Sequence, residues 1–94
     1  MKVVWTVPAV RDLETIGDYI ARENPTAAER VIRRIRARTR TLASHAYLGR
    51  PGRVANTREL VVTSTPFIVA YRVMGDRVEV LAVFHSARMW PDAF

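Results

Sequence analysis

The second half of the chain alternates between runs of β-branched and aromatic residues and short groups of turn residues. The apolar runs are residues 57–63, 67–74 and 77–85, separated by Ser-Thr-Pro at 64–66 and by Gly-Asp at 75–76. Short runs of this composition between turn residues are typical of strands. The pattern therefore predicts three consecutive antiparallel strands.

The break at Gly75 and Asp76 predicts a two-residue hairpin of type II′, because glycine tolerates the positive φ at its first central position. A continuous ladder from this turn pairs Met74 with Arg77 and, at its far end, Phe67 with Phe84. Side chains alternate between the two faces of a strand. The ladder thus predicts an apolar face that needs a cover: Phe67, Val69, Tyr71, Val73, Val78, Val80, Ala82 and Phe84. It predicts a second, open face of apolar residues interrupted by charge: Ile68, Ala70, Arg72, Met74, Arg77, Glu79, Leu81, Val83 and His85.

The first half of the chain predicts one strand and two helices. Residues 2–6 form a short β-prone run that suits an edge strand. Apolar residues then recur at helical spacing from about Pro8 to near Asn24, and again from Pro25 to His45 or Ala46. Asn24 can cap the second helix and Pro25 can occupy its first turn, so the two helices join almost without a loop.

These elements predict a two-layer α+β fold in the order β-α-α-β-β-β. A strand precedes an antiparallel helical hairpin, which packs on one face of a three- to four-stranded antiparallel sheet and covers its apolar side. A chain of 94 residues suffices for one such core and no second unit. Residues 1–94 are therefore expected to form a single domain.

The net charge of the chain indicates which kind of partner it binds. Fifteen basic and nine acidic residues give a net charge of +6 and a pI near 11, which favours an acidic partner, either nucleic acid or an acidic protein. The arginine-rich back of the second helix, however, lacks interleaved aromatic residues and is typical of a solvated face. There is no cysteine, which excludes disulfides and thiolate metal sites. The N-terminal apolar run is too short for a signal peptide or a membrane span, so a cytoplasmic protein is expected.

Three segments, read with the order and spacing of the predicted elements, carry a family resemblance. They are Arg-Glu-Leu-Val-Val at 58–62, Pro-Phe-Ile-Val-Ala-Tyr-Arg-Val at 66–73 and Val-Leu-Ala-Val-Phe-His-Ser-Ala-Arg-Met-Trp-Pro at 80–91. With a helical hairpin bent at Asn24 and Pro25, this arrangement resembles the RelE/ParE superfamily over essentially the whole chain. The resemblance implies the toxin of a type II toxin-antitoxin module, held inactive by an antitoxin whose C-terminal segment wraps it, with two toxins per assembly. We expect no cofactor and no metal.

The superfamily has two branches, and the candidate catalytic residues bear on the choice. RelE-like members cut mRNA on the ribosome, which needs a proton acceptor, a proton donor and cations near the phosphate. The resemblance matches Arg58 and Arg88 to nuclease positions, and His85 is the proton carrier nearest to them. Ile68, however, occupies a position that in the nucleases tends to be arginine, and no tyrosine or histidine follows Arg88. This incomplete set favours the ParE-like branch, which inhibits DNA gyrase by binding; a RelE-like nuclease and an inactive binding module are the alternatives.

The open face and the groove of the helical hairpin are the predicted surfaces for the antitoxin or the cellular target, because exposed apolar area rimmed by charge marks a binding site. His85 has a second interpretation, as a strand-end histidine bonded to the tail. Arg72 has one as the cross-strand partner of Glu79. The predicted binding residues are Arg72, Met74, Leu81, Val83, His85, Arg88 and Trp90.

Overall fold

The computed structural model describes residues 1–87 of the chain, and these form two helices packed on one face of a five-stranded sheet. The strands lie in the order β1-β5-β4-β3-β2, with β1 parallel to β5 and every other neighbouring pair antiparallel. The elements are β1 (Lys2–Trp5), α1 (Val7–Ala21), α2 (Pro25–Arg40), a 3-10 turn (Thr41–Ala43), β2 (Arg50–Pro51), β3 (Arg58–Val61), β4 (Phe67–Met74) and β5 (Arg77–His85). The predicted α+β class is confirmed. The sheet is larger and mixed because β1 joins it in parallel and β2 adds two residues.

Local signals set the ends of both helices. The Thr6 hydroxyl accepts from Ala9 N–H at 3.4 Å and begins α1, while the Asn24 side chain accepts from Ala27 N–H at 3.0 Å and begins α2. Helix α2 ends at Arg40, earlier than predicted. The hydroxyl of Thr41 donates to Arg38 O at 2.6 Å, and the chain tightens into the 3-10 turn.

The β4–β5 hairpin confirms the predicted turn and the first half of the predicted register. Gly75 has φ +60°, and no positive φ occurs at Asp76, as a type II′ turn requires. The pairs from Met74 with Arg77 to Tyr71 with Val80 are those predicted. The ladder then shifts at Ala70, which faces Ala82 and not Leu81, so β5 carries one extra residue there. The remaining predicted pairs, including Phe67 with Phe84, are wrong by one residue.

The extra residue in β5 forms a β-bulge, which is contacted by residues of α1 and of the junction between β1 and α1. The Thr6 hydroxyl donates to Val80 O at 2.7 Å and approaches Leu81 O at 3.5 Å, and Asp12 Oδ2 accepts from Val83 N–H at 3.0 Å. These contacts bind backbone groups on either side of the extra residue, and Val80 O also accepts from Thr6 N–H at 3.1 Å.

The bulge reverses the faces predicted for the end of β5, since a one-residue shift turns every following side chain over. Val83 belongs to the helix-side core together with Phe67, Tyr71 and Ile35. Phe84 and Ala82 lie on the opposite face, with Ile68 and Ala70. The helical hairpin therefore covers Phe67 and Tyr71 as predicted, but Phe84 is not beneath it.

The opposite face is also not open in its middle, contrary to the prediction. Ile68 is 6% exposed, Ala82 3% and Phe84 9%, so the chain itself removes this cluster from solvent. Leu81 at 7% and Val83 at 3% are likewise buried. Leu81 and Val83, which were predicted to bind a partner, are therefore core residues.

Candidate functional site

Arg58, a predicted catalytic residue, is engaged in holding the loop before β2. Its Nη1 donates to Gly49 O at 2.7 Å and to Tyr47 O at 3.4 Å. The guanidinium also lies over the Tyr47 ring, 5.0 Å from its centroid, a favourable cation–π geometry. Arg58 Nη1 therefore binds the backbone of this loop, and not a substrate.

Tyr71 anchors the same loop from inside the core. Its hydroxyl donates to Ala46 O at 2.8 Å and accepts from Gly49 N–H at 2.9 Å. Burial raises the pKa of the Tyr71 phenol, an effect partly opposed by the Gly49 hydrogen bond and by the charge of Arg58. This neutral hydroxyl is fully buried and has no access to a substrate. Sequence reasoning placed Tyr71 in the core but missed these two hydrogen bonds.

His85 makes contacts of the kind that its structural interpretation predicts. Its Nδ1 accepts from Ala87 N–H at 3.1 Å, and its ring meets the edge of Phe67 at 5.7 Å between centroids. It therefore stands beside Phe67 and not on the predicted open face, because the bulge displaced it.

The structure does not bring Arg58 and His85 together. Arg58 pairs with Tyr71 and His85 pairs with Phe67, four residues further along β4. At about 3.3 Å per residue the two positions are roughly 13 Å apart along the strand direction alone. The third candidate, Arg88, and the predicted binding residue Trp90 lie outside the described residues. The described candidates therefore do not form an acid–base pair around one phosphate.

Charged residues occupy the hairpin end of the opposite face. Arg72 Nε donates to Glu79 Oε1 at 2.7 Å, the cross-strand pair that the register predicts, and Arg77 Nη2 lies 3.0 Å from Glu79 Oε2. The hydrogen bond from Arg72 is the main cause that lowers the pKa of the Glu79 carboxyl. The Arg72 side chain is 44% exposed and Met74 43%. These two predicted binding residues are accessible.

An ion pair that sequence reasoning missed joins β2 to β3. Arg50 Nη2 lies 2.8 Å from Glu59 Oε1, and Glu59 is buried while the Arg50 side chain is 60% exposed. The sequence signal for this pair was Glu59 within an apolar run, because a carboxylate buried in a strand requires a partner.

A groove lies between α1 and α2, with Trp5 of β1 in its lining, and it is the second surface predicted for a partner. One part has a volume of about 570 Å³ and the adjoining part about 630 Å³, and both include Gly17, Ile32, Arg36 and Arg40. Apolar residues also line the groove, among them Val10, which is 40% exposed and lies one helical turn before Glu14. The walls differ in charge: Glu14 and Asp18 on α1 face Arg36 and Arg40 on α2.

Two features are absent from the described residues. In residues 1–87, every helix is too short or too polar to cross a membrane. The same part of the chain holds no group of three or more histidine, cysteine, aspartate or glutamate side chains placed to bind a metal ion.

Comparisons with known proteins agree with the fold. The model of the family described as ParE toxin of type II toxin-antitoxin system, parDE, matches residues 3–90. Among curated relatives, Y4kP of Sinorhizobium fredii is 44% identical over 96% of this chain and 93% of its own length. Toxin RelE2 of Caulobacter vibrioides is 38% identical over 94% of this chain and 98% of its own.

A solved structure gives the same result. A chain of the chromosomal ParDE TA system from P. aeruginosa superposes with a TM-score of 0.81 at 28% identity, covering 90% of this chain and 95% of that one. The two-layer fold and the matched length define a toxin of the RelE/ParE superfamily. The chain belongs to the ParE toxin family of type II toxin-antitoxin systems.

Proposed function

We propose that this toxin acts in the cytoplasm by binding and inhibiting DNA gyrase, and that it does not cut RNA. The observation that carries the proposal is the arrangement of the candidate catalytic residues. The Arg58 guanidinium binds backbone carbonyls, His85 accepts from Ala87 N–H, and the two lie far apart in the sheet. General acid–base catalysis requires groups within hydrogen-bond reach of one reacting centre.

A growth assay tests whether the nuclease candidates matter. Arg58, His85 and Arg88 are replaced together by glutamine, and the variant is induced in cells without an antitoxin. We expect the variant still to arrest growth, because inhibition by binding requires no proton transfer by these side chains. A second variant, His85→Gln with Arg88→Gln, leaves the Arg58 loop contacts intact and controls for misfolding.

Two results would overturn the proposal. The first is loss of growth arrest in the folded double variant together with loss of cleavage of ribosome-bound message, which would indicate a RelE-like nuclease. This alternative is retained because Toxin RelE2 is 38% identical to the chain. Normal growth with the unaltered toxin would identify an inactive binding module instead.

We also propose that a cognate antitoxin occupies the groove of the helical hairpin, in an assembly with two toxins. A groove lined by both apolar and charged residues is a surface on which an amphipathic helix can bind. Arg72 and Met74 remain proposed contacts for the antitoxin or for gyrase, since both are accessible. Leu81 and Val83 do not, since both are buried.

Val10 provides the test of the groove. Val10→Asp places a charge among its apolar lining residues, and we expect binding of the cognate antitoxin to weaken by at least about tenfold, measured by calorimetry. Val54→Asp is the matched control, because Val54 is 41% exposed compared with 40% for Val10 and lies in the loop before β3. Equal affinity of both variants for the antitoxin would place the antitoxin elsewhere.

A further inference from the structure

The two walls of the hairpin groove carry opposite charges that do not neutralise each other. On α1, Glu14 and Asp18 lie four residues apart, which places both on one side of the helix. On α2, Arg36 and Arg40 have the same spacing along the facing wall. In the part of the chain that the structure describes, the ion pairs are Arg50–Glu59, Arg72–Glu79 and Arg77–Glu79, so none bridges the groove.

Apolar residues line the groove beside the charged ones. Leu13 and Gly17 on α1 directly precede Glu14 and Asp18, Ile32 lies one turn before Arg36 on α2, and the charged groups on the two helices are not within the 4.0 Å of an ion pair. Each wall is therefore available to a partner. In its second part the α2 wall also holds Glu29 and Arg33, and with Arg36 and Arg40 it remains basic, with three arginines to one glutamate.

We infer that the groove selects an amphipathic helix whose charges are sorted, with basic residues on the flank that meets α1 and acidic residues on the flank that meets α2. This inference rests on the proposed function of the groove and adds its partner's charge pattern and direction. A helix turned end for end presents its flanks on opposite sides. A sorted helix therefore fits the two walls in one direction only, and Glu14, Asp18, Arg36 and Arg40 fix that direction.

Three synthetic peptides of equal composition test the sorting. Each carries the same leucine and alanine stripe. The first has glutamates on one flank and lysines on the other, the second has the flanks exchanged, and the third mixes both charges on both flanks. We expect both sorted peptides to bind the full-length toxin about tenfold more tightly than the mixed one at low salt, from several exposed ion pairs. The advantage should shrink at high salt, because salt screens exposed charges.

Direction is read separately with a nitroxide at the peptide N-terminus. We expect the first peptide to broaden the amide signals at one end of the groove, near Val10, or at the other end, near Ala21, and the second peptide to broaden those at the opposite end. Broadening of the same end by both sorted peptides would contradict the inference.

Two variants test whether the walls cause the preference. Arg36→Gln with Arg40→Gln should abolish the preference for sorted peptides, whereas Arg30→Gln with Arg53→Gln removes the same charge from exposed positions outside the groove lining and should preserve it. Equal affinity for all three peptides, retention of the preference in the first variant, or no binding by any peptide at millimolar concentration would each overturn the inference. If these tests fail but Val10→Asp still weakens antitoxin binding, the groove remains the proposed antitoxin site and only the charge-sorting inference is wrong.

Discussion

Gly49 occupies a position with no room for a side chain. A Cβ added there would lie 2.7 Å from Glu59 O and 2.8 Å from the Tyr71 ring. We expect Gly49→Ala to lower the free energy of unfolding by about 1–3 kcal/mol, because the loop must move away from the Tyr71 hydroxyl. Urea unfolding measures this change.

Gly17 is the matched control for that substitution. A Cβ there meets the Ile32 side chain at 3.4 Å, an ordinary contact, and alanine is favoured in a helix over glycine by about 1 kcal/mol. Gly17→Ala should leave the free energy of unfolding equal or raise it. A loss at Gly17 as large as that at Gly49 would show that the tight contact at Gly49 is not the cause.

Asp12 makes stability depend on pH. Burial raises the pKa of its carboxyl, and the hydrogen bond from Val83 N–H lowers it in part. The folded state therefore holds the proton more firmly than the unfolded chain, whose aspartate pKa is about 3.9. The resulting contribution of Asp12 to the free energy of unfolding is fully present below about pH 4. It is lost as pH rises through the folded pKa.

Asp12→Asn keeps an acceptor for Val83 N–H but cannot ionise. We therefore expect the unaltered protein to gain stability relative to this variant when the pH falls from 7 to 4, as measured by thermal unfolding at both pH values. Asp12→Ala loses the acceptor and should be less stable than Asp12→Asn by about 1 kcal/mol. An identical pH dependence of the unaltered protein and Asp12→Asn would refute the assignment.

At the level of elements, the junction of β1 and α1 sets the register of β5. Thr6 both caps α1 and donates to Val80 O, whereas Asn24 only caps α2. Thr6→Ala should therefore cost about 2 kcal/mol and Asn24→Ala about 1 kcal/mol in the free energy of unfolding. Hydrogen exchange at Val83 N–H should accelerate in the first variant alone. Equal losses with unchanged exchange at Val83 would mean that Thr6 does not hold the bulge.

The elements that follow from local signals were predicted well, and those that depend on distant contacts were not. The caps at Asn24 and Pro25 and the turn at Gly75 lie within a few residues of what they control, so the sequence pattern was sufficient. The bulge at Leu81 depends on Thr6 and Asp12, which are more than sixty residues away in the chain. A continuous ladder was the simplest expectation, and it misplaced Val83, Phe84 and His85.

At the scale of the whole molecule, the order and spacing of elements predicted the family, but the site required the structure. Arg58 and His85 both stand near strand ends in the sequence, and only the register shows that they are far apart. The groove was predicted as a surface, while its oppositely charged walls follow from how α1 and α2 meet. Sequence periodicity gives each helix its faces but not the pairing of those faces.

Inhibition of gyrase by binding is the activity proposed for this toxin. It is tested by gyrase supercoiling of relaxed plasmid, with purified toxin titrated in the absence of antitoxin. We predict inhibition at micromolar toxin that is relieved by adding the antitoxin. Undiminished supercoiling at that concentration, alongside cleavage of ribosome-bound message by the same preparation, would contradict it.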